Sequence, residues 1–301
     1  MRQLPVIAVI GPTAAGKSDL AVDLALQLGG EIINADSMQL YRGMDIGTAK
    51  LSVAERRGVP HHLLDIWDVT KAASVAEYQA LARPLMDDML AKEIVPILVG
   101  GSGLYVRAAL DDLEFPGTDP EIRARLEAEL EREGPAVLYE RLSERDPKAA
   151  ETILPSNGRK IVRALEVIEF SGRPFSATMP SYDALYESVQ LGVEVPREVL
   201  DARVEARVER MWEAGLVDEV RRLSARGLAG GRTASRALGY AQVLRFLDGE
   251  WSEQEAREET IRATRRFVRR QESWFRRDPR VIWLPQQAPD LLDRALAAVR
   301  R

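Results

Sequence analysis

The chain has 301 residues, a formal net charge of −5 and no cysteine. Its length suits one large α/β domain or two modest ones, and 46% hydrophobic with 30% charged residues is ordinary for a globular protein. The missing cysteines exclude a disulfide scaffold, a thiolate metal site and a cysteine nucleophile. The acidic balance argues against non-specific coating of nucleic acid but permits a local basic patch. No apolar run reaches the ~18 residues of a membrane span, so we expect no membrane association and a cytoplasmic location.

Buried strands and amphipathic helices alternate along the first third of the chain. Continuous apolar runs predict strands at Leu4–Ile10, Glu31–Asn34 and Ile94–Val99. Helical spacing of apolar residues predicts helices over Asp19–Leu28 and Ser74–Leu90. This alternation predicts an α/β fold, a parallel sheet flanked by helices on both faces.

The composition changes at about Thr118, where charged helical stretches begin. Helices are predicted over Glu121–Glu133, Pro135–Arg145 and Arg159–Phe170, with no strong strand among them. We therefore predict an α/β core over residues 1–117 and 189–301, with an all-helical insertion domain over residues 118–188. In the second part of the core, strands are predicted at Val189–Val195 and Val281–Leu284, and helices over Leu200–Ala214, Val217–Ala225, Tyr240–Leu247, Ser252–Arg276 and Pro289–Arg300.

The strongest local motif lies between the first strand and the first helix. Gly11, Pro12, Thr13, Ala14, Ala15, Gly16, Lys17 and Ser18 match the phosphate-binding pattern G-x-x-x-x-G-K-[ST], or P-loop. Backbone N–H groups and the helix N-terminus attract phosphate oxygens, Lys17 adds a positive charge, and the Ser18 hydroxyl is placed to hold Mg²⁺. The alternative is a chance match in a glycine-rich turn. The motif predicts phosphate binding but does not decide between a nucleotide such as ATP and another diphosphate.

Asp36 follows the second predicted strand. It stands at the carboxyl end of that strand, the edge where open α/β sheets bind ligands. A carboxylate there is placed to coordinate Mg²⁺ or to accept a proton, and a turn or N-cap role is the alternative.

Eight motifs in order resemble the tRNA dimethylallyltransferase family over nearly the whole chain. They are Gly11–Ser18, Asp36–Ser37 with Gln39 and Tyr41, Asp45–Lys50, Pro60–Asp65, Gly100–Tyr105, Arg163–Glu166, Leu238–Tyr240, and Arg270–Gln271 with Trp274. Enzymes of this family transfer a dimethylallyl group from its diphosphate to N6 of adenosine 37, just 3′ of the anticodon of tRNA, and release diphosphate. One departure is Ser102, which stands where the family usually has threonine and keeps only the hydroxyl.

The resemblance implies a role for each polar group of these motifs. Asp36 would be the general base that takes a proton from the adenine amine. Lys17, Ser102, Arg207 and Mg²⁺ at Ser18 would stabilise the departing diphosphate together with the P-loop. From sequence alone, Arg207 is also compatible with a solvated charge on a helix.

The resemblance also places tRNA against five segments. These are Asp36, Ser37, Met38 and Gln39; Arg123; Arg159, Lys160, Ile161, Val162 and Arg163; Arg236, Ala237, Leu238, Gly239, Tyr240 and Ala241; and Arg269, Arg270, Gln271, Glu272, Ser273, Trp274, Phe275 and Arg276. The helical insertion is then expected to clamp the anticodon stem. We expect a monomer whose partners are tRNA and dimethylallyl diphosphate.

The last of these segments belongs to a strongly basic helix. Between Arg262 and Arg277 there are seven arginines and one acid, a local net charge of +6. Arginines four apart repel each other by ~0.2–0.5 kcal/mol in an isolated helix, and a bound phosphate backbone would relieve that repulsion. A solvated charge run is the alternative. The other side carries a mostly apolar stripe whose aromatic residues are predicted to lie mainly in the core: Ile261, Thr264, Phe267, Val268, Gln271, Trp274 and Phe275.

Two adjacent histidines, His61 and His62, invite a metal or catalytic interpretation. Neighbouring side chains on an extended strand point to opposite faces, so we predict structural roles for both.

Three other functions remain compatible with the residues. A P-loop small-molecule kinase would share the fold and the Gly11–Ser18 motif. A prenyltransferase acting on free adenylate would keep the chemistry without the RNA. A nucleotide-gated RNA-binding module would use the basic helix without transferring any group.

Overall fold

A fully parallel, six-stranded sheet forms the centre of the larger of two units in the computed structural model, which describes residues 5–178 and 182–300. The strand order is β3-β2-β4-β1-β5-β6. The strands are β1 Val6–Ile10, β2 Gly30–Asn34, β3 His61–His62, β4 Val95–Gly100, β5 Ser188–Glu194 and β6 Val281–Pro285. The predicted α/β fold with a parallel sheet is confirmed.

The helices of the described residues follow in chain order. They are α1 Lys17–Leu28, α2 Val75–Ala91, α3 Gly103–Leu110, α4 Pro120–Glu133, α5 Pro135–Arg145, α6 Pro147–Ala150, α7 Gly158–Ser171, α8 Arg197–Glu213, α9 Leu216–Ser224, α10 Tyr240–Leu247, α11 Glu253–Phe275 and α12 Leu291–Val299. Short 3₁₀ turns occupy Phe175–Thr178, Leu228–Gly230 and Ala234–Arg236. No helix within the described ranges is both long enough and apolar enough to cross a membrane.

The central strands are continuous apolar runs because both faces of the sheet are covered. Every residue of β1 and β4 is buried. Val6, Ala8 and Ile10 belong to the hydrophobic cluster on one face, whereas Ile7 and Val9 belong to the cluster on the other. This alternation within one apolar run is the pattern of a strand that lies between two layers of helices.

Two helix starts follow directly from side-chain capping. The Ser74 side chain accepts a hydrogen bond from the N–H of Glu77 and caps α2. Ser252 and Glu255 form a reciprocal capping box, in which each side chain accepts from the other residue's N–H. Such caps satisfy N–H groups that the first helical turn leaves without partners.

The extended backbone assumed for the two histidines is confirmed, because His61 and His62 form the short strand β3, which pairs with Ile32 and Ile33 of β2. His61 Nδ1 lies 2.8 Å from the Val59 carbonyl oxygen, and His62 Nε2 lies 2.6 Å from Glu31 Oε2. The two imidazoles therefore have different partners, as expected for neighbours on an extended strand.

The smaller unit, Asp111–Asp183, contains α4 to α7. It has its own hydrophobic core, in which Leu126, Leu138 and Leu165 are fully buried. Its bounds differ from the sequence estimate of residues 118–188. The N–H of Asp112 donates to the carbonyl of Asp183 at 2.8 Å, which ties the two ends of the unit together. The larger unit consists of Met1–Leu110 and Ala184–Arg301.

Candidate active site

The P-loop motif connects β1 to α1, where its sequence placed it. Ala14, Gly16, Lys17 and Ser18 line a cavity of about 870 Å³, which we call the phosphate cavity. Arg203, Arg207 and Arg210 of α8 also line it. Three guanidinium groups and a helix N-terminus therefore face one space, the electrostatic environment that a polyphosphate requires.

Lys17 folds back onto its own loop. Its ammonium donates to the Pro12 carbonyl oxygen at 2.7 Å. Burial lowers the pKa of Lys17 to about 8, partly opposed by the negative charge of Asp36 and reinforced by the positive charge of Arg207. A diphosphate in the phosphate cavity would offer this ammonium the counter-charge that burial removes.

Asp36 is held in place by Asn34, a residue that the sequence reasoning did not single out. The buried Asn34 side chain accepts from the N–H of Asp36 at 2.9 Å and donates to the carbonyl of Asp36 at 3.0 Å. It also donates to the Leu63 carbonyl at 3.1 Å. Asp36 Oδ1 accepts from the N–H of Met38 at 2.9 Å. The backbone at Asp36 is thus fixed on both sides.

Asp36 lines a second cavity of about 500 Å³, which we call the base cavity. Ser102 lies in the same cavity, and its hydroxyl contacts Ser37 through the backbone N–H at 3.2 Å and the side-chain oxygen at 3.3 Å. The structure therefore brings the predicted Asp36 and Ser102 into one cavity.

Arg207 belongs to both cavities. It lines each of them, as does Met211 one helical turn further along α8. Burial lowers the pKa of Arg207, opposed by the charge of Asp36, and its Nη2 donates to the Thr48 carbonyl at 3.2 Å. A solvated helix charge is excluded for Arg207, because this side chain lines both the base cavity, which Asp36 lines, and the phosphate cavity, which Lys17 lines.

Gln271 joins two of the loops that shape these cavities. Its Oε1 accepts from the N–H of Thr13 in the P-loop, and its Nε2 donates to the Gly101 carbonyl, both at 2.9 Å. Gly101 has to be glycine because a Cβ there would lie 2.2 Å from Gln271 Nε2. The sequence resemblance placed Gln271 against tRNA, whereas the structure shows a buried amide that clamps the P-loop to the segment carrying Ser102.

The apolar stripe of α11 is only partly core. Val268 and Phe275 are buried as predicted. Trp274 is 41% exposed, Phe267 is half-buried, and both line the base cavity, so for these two the prediction was wrong. The two rings face a cavity because α11 forms one of its walls, a tertiary placement that helical periodicity does not reveal.

The basic run on α11 is partly neutralised by acids of the same protein. Arg262 and Arg266 pair with Glu259, Arg265 with Glu205 of α8, and Arg276 with Glu194 of β5. The expected self-repulsion along the helix is therefore offset by acids that lie outside the run. Within the described residues, Arg269 is exposed without an ion pair, and Arg270 stacks over Phe267 at 5.7 Å.

In the smaller unit, two arginines expected at tRNA bind a buried carboxylate instead. Arg123 and Arg163 both contact Glu166, which is fully buried. Arg163 also donates to the carbonyls of Pro116 and Gly117. These pairs hold the start of the unit against α7, which is a structural role, and the tRNA contacts expected of the two arginines stay predictions.

Other residues of the expected tRNA surface divide by exposure. Ile161, Val162, Ala237, Tyr240 and Phe275 have buried side chains with packing roles, and the tRNA contacts expected at these positions stay predictions. Exposed or half-buried members are Ser37, Met38, Gln39, Arg159, Lys160, Arg236, Leu238, Ala241, Arg269, Arg270, Glu272, Ser273, Trp274 and Arg276. Gly239 caps α10, and Glu272 pairs with Arg197 at 3.0 Å.

Comparison with known proteins places this geometry in one family. The family model described as IPP transferase matches residues 39–278. The chain belongs to the IPP transferase family. A relative from Thermobifida fusca named tRNA dimethylallyltransferase is 68% identical over 299 residues, covering 98% of this chain and 94% of that protein. A Streptomyces avermitilis protein of the same name is 69% identical, with 96% and 92% coverage.

Two solved structures are similar over almost the whole chain of this IPP transferase. A full-length tRNA isopentenylpyrophosphate transferase from Bacillus halodurans has a TM-score of 0.73 and 38% identity, covering 98% of this chain and 97% of its own. A eukaryotic dimethylallyltransferase described as acting on tRNA has a TM-score of 0.84 and 25% identity, with 97% and 77% coverage.

Proposed function

We propose that this IPP transferase transfers a dimethylallyl group from dimethylallyl diphosphate to N6 of adenosine 37, 3′ of the anticodon of tRNA. One observation carries the proposal: Arg207 and Met211 line both the phosphate cavity and the base cavity. A diphosphate in the first space and an adenine in the second would meet at these two side chains. The names of the relatives support the same reaction.

The phosphate cavity supplies the leaving-group half of the reaction. When the C1–O bond breaks, its electron pair goes to the diphosphate oxygen, where negative charge accumulates. Backbone N–H groups of the P-loop, Lys17 and Arg207 are fixed around that position, so they stabilise the charge without reorganising. The Ser102 hydroxyl, which lines the base cavity, would add a further donor to the diphosphate.

Mg²⁺ fits this site through Ser18, which lies in the first turn of α1 and lines the phosphate cavity. The described residues contain no group of three or more His, Cys, Asp or Glu side chains that would form a protein cage for a metal. Mg²⁺ commonly keeps several waters and binds through few protein groups plus phosphate oxygens, which matches such a site. The ion would supply further charge neutralisation for the diphosphate.

The base cavity supplies the nucleophile half. An exocyclic adenine amine is a weak nucleophile, and a base that takes its proton as the C–N bond forms contributes ~10²–10⁴-fold. Asp36 is that base in our proposal because it is ionisable, rigidly held by Asn34 and open to the cavity. Val204, Val208 and Met211 provide an apolar wall for the five-carbon group.

The target adenine has to leave its stack to enter the base cavity, as sequence-specific RNA enzymes require. Trp274, Phe267 and the exposed Arg236 and Arg270 line that cavity and are suited to stacking and to phosphate contacts. The monomeric state expected from the sequence stays a proposal.

The test is incubation of the protein and Mg²⁺ with labelled dimethylallyl diphosphate and an anticodon stem–loop carrying adenosine 37. A matched stem–loop with guanosine 37 is the control. We expect label in the first RNA only. Label in free AMP but not in RNA would indicate an adenylate prenyltransferase. ATP-dependent phosphorylation of an acceptor without prenyl transfer would indicate a kinase, and RNA binding without transfer would indicate a binding module.

A further inference from the structure

Glu219 is a buried carboxylate on α9 that lines neither cavity. Its Oε2 accepts from the N–H groups of Asp45 at 3.2 Å and Ile46 at 2.9 Å. Its Oε1 accepts from the N–H of Gly47 at 3.3 Å and from the Tyr240 hydroxyl at 2.5 Å. Three successive backbone N–H groups that converge on one anion form a nest, here occupied by the protein's own side chain.

The nest fixes the first part of the loop of residues 45–50, and this loop borders both cavities. Gly47 and Thr48 line the base cavity, and Asp45 and Lys50 line the phosphate cavity. The far end of the loop is fixed separately, because the Lys50 ammonium binds Asp45 at 2.7 Å and Asp65 at 2.6 Å. A loop held at both ends in this way offers its carbonyl groups in set positions.

One of those carbonyls holds the guanidinium shared by the two cavities. The Thr48 carbonyl accepts from Arg207 Nη2 at 3.2 Å and from Gln39 Nε2 at 3.1 Å. Tyr240 packs so closely on the loop that a Cβ at Gly47 would lie 2.4 Å from its ring. The Glu219 carboxylate, the Tyr240 ring and Gly47 therefore together fix the position of Thr48.

We propose that Glu219 is a positioning residue for the transfer reaction, acting through residues 45–47 and the Thr48 carbonyl on the guanidinium of Arg207. The inference rests on the proposed function for the role of Arg207 at the diphosphate. Displacement of a reacting or stabilising group by about 1 Å costs roughly 10²-fold in rate, so a loosened loop has a measurable kinetic signature.

The test begins with Glu219→Gln, which keeps the shape of the side chain but turns an amide NH₂ toward backbone donors. Asp218→Asn is the matched control, because Asp218 is exposed on the same helix and pairs only with Arg221 among the described residues. We expect Glu219→Gln to lower kcat/KM for dimethylallyl diphosphate by about 10²-fold. Affinity for the anticodon stem–loop should stay at the wild-type value, and Asp218→Asn should match wild type throughout.

A double-mutant cycle separates positioning from general destabilisation. In an Arg207→Ala background, Glu219→Gln should cause little further loss, since the guanidinium that it positions is gone. The inference would be overturned if the two substitutions lowered kcat/KM independently, so that their fold-losses multiplied in the double variant. Wild-type kinetics for Glu219→Gln alone would also overturn it. If the circular dichroism spectrum shows that Glu219→Gln is unfolded, Tyr240→Phe replaces it in the cycle. Multiplying losses, or wild-type kinetics for Tyr240→Phe alone, would then overturn the inference. A wild-type protein that transfers no label to the stem–loop would refute the proposed function instead.

Discussion

Substitution of Gln271 by methionine separates the clamp seen in the structure from the tRNA contact expected from sequence. Methionine has nearly the same length but makes neither of the two 2.9 Å hydrogen bonds. The carbonyl of Gly101 would then lose its partner in a buried setting, and the N–H of Thr13 would lose its partner in a part-buried one. One unsatisfied buried group costs about 1–3 kcal/mol, so the free energy of unfolding should fall by about 1–3 kcal/mol.

The measurement is urea unfolding, combined with kcat/KM for dimethylallyl diphosphate and affinity for the anticodon stem–loop. Gln254→Met is the control, since Gln254 is exposed on the same helix and bonds only to Glu258 among the described residues. A surface change of that kind should stay within about 0.5 kcal/mol. We expect Gln271→Met to lose stability and diphosphate efficiency while RNA affinity persists. Intact stability together with weakened RNA affinity would refute the clamp.

Three further predictions follow from the charges of the site. Burial lowers the pKa of Lys17 to about 8, so its ammonium loses its charge as pH rises through that value. We therefore expect kcat/KM for dimethylallyl diphosphate to fall above pH 8. A pH profile that is flat through pH 8 would contradict this. Asp36→Asn should lower turnover by ~10²–10⁴-fold with RNA affinity unchanged in a filter-binding assay, and near-normal turnover would remove Asp36 from the base role. Joint replacement of the exposed Arg159 and Lys160 by alanine should weaken binding of the stem–loop and reduce the salt dependence of that binding. The control Arg132→Ala, in the same unit, should do neither. Equal effects of the two variants would argue against a specific RNA-binding surface at Arg159 and Lys160.

The sequence was sufficient where local patterns decide the structure. Five of the six strands lie within two residues of their predicted bounds. Among them β1 and β4 are continuous apolar runs, because strands buried on both faces need no alternation. Ser74 and Ser252 marked the starts of two helices, because their caps are local. The two-residue strand His61–His62 is too short for any periodicity, so the sequence indicated extended backbone there but not its pairing with β2.

Single motifs of the site were predictable from the sequence, but the contacts that bring them together were not. The P-loop and Asp36 follow the ends of β1 and β2, and chain order alone puts both at one edge of a parallel sheet. Gln271 and Glu219 act through partners that tertiary folding brings together, 258 positions apart for Gln271 and Thr13. Asn34 holds Asp36 only two positions away, but it also binds the Leu63 carbonyl, 29 positions away. Their residue types carry no signal by themselves, because a buried amide or carboxylate is recognised only by what surrounds it.

The distribution of charge on α11 shows why a count of arginines overstates the surface offered to RNA. A local net charge of +6 suggested a continuous basic face. Four of the seven arginines are paired with Glu259, Glu205 or Glu194, so three carboxylates offset most of the charge of these four before any RNA arrives. Arg269 and Arg270 stand on the same helix as Trp274, beside the base cavity that Arg270 and Trp274 line. Each contact between an arginine and an RNA phosphate adds affinity that does not depend on the RNA sequence. Unpaired positive charge that lies only near the base cavity therefore favours recognition of one extruded base over binding of any RNA.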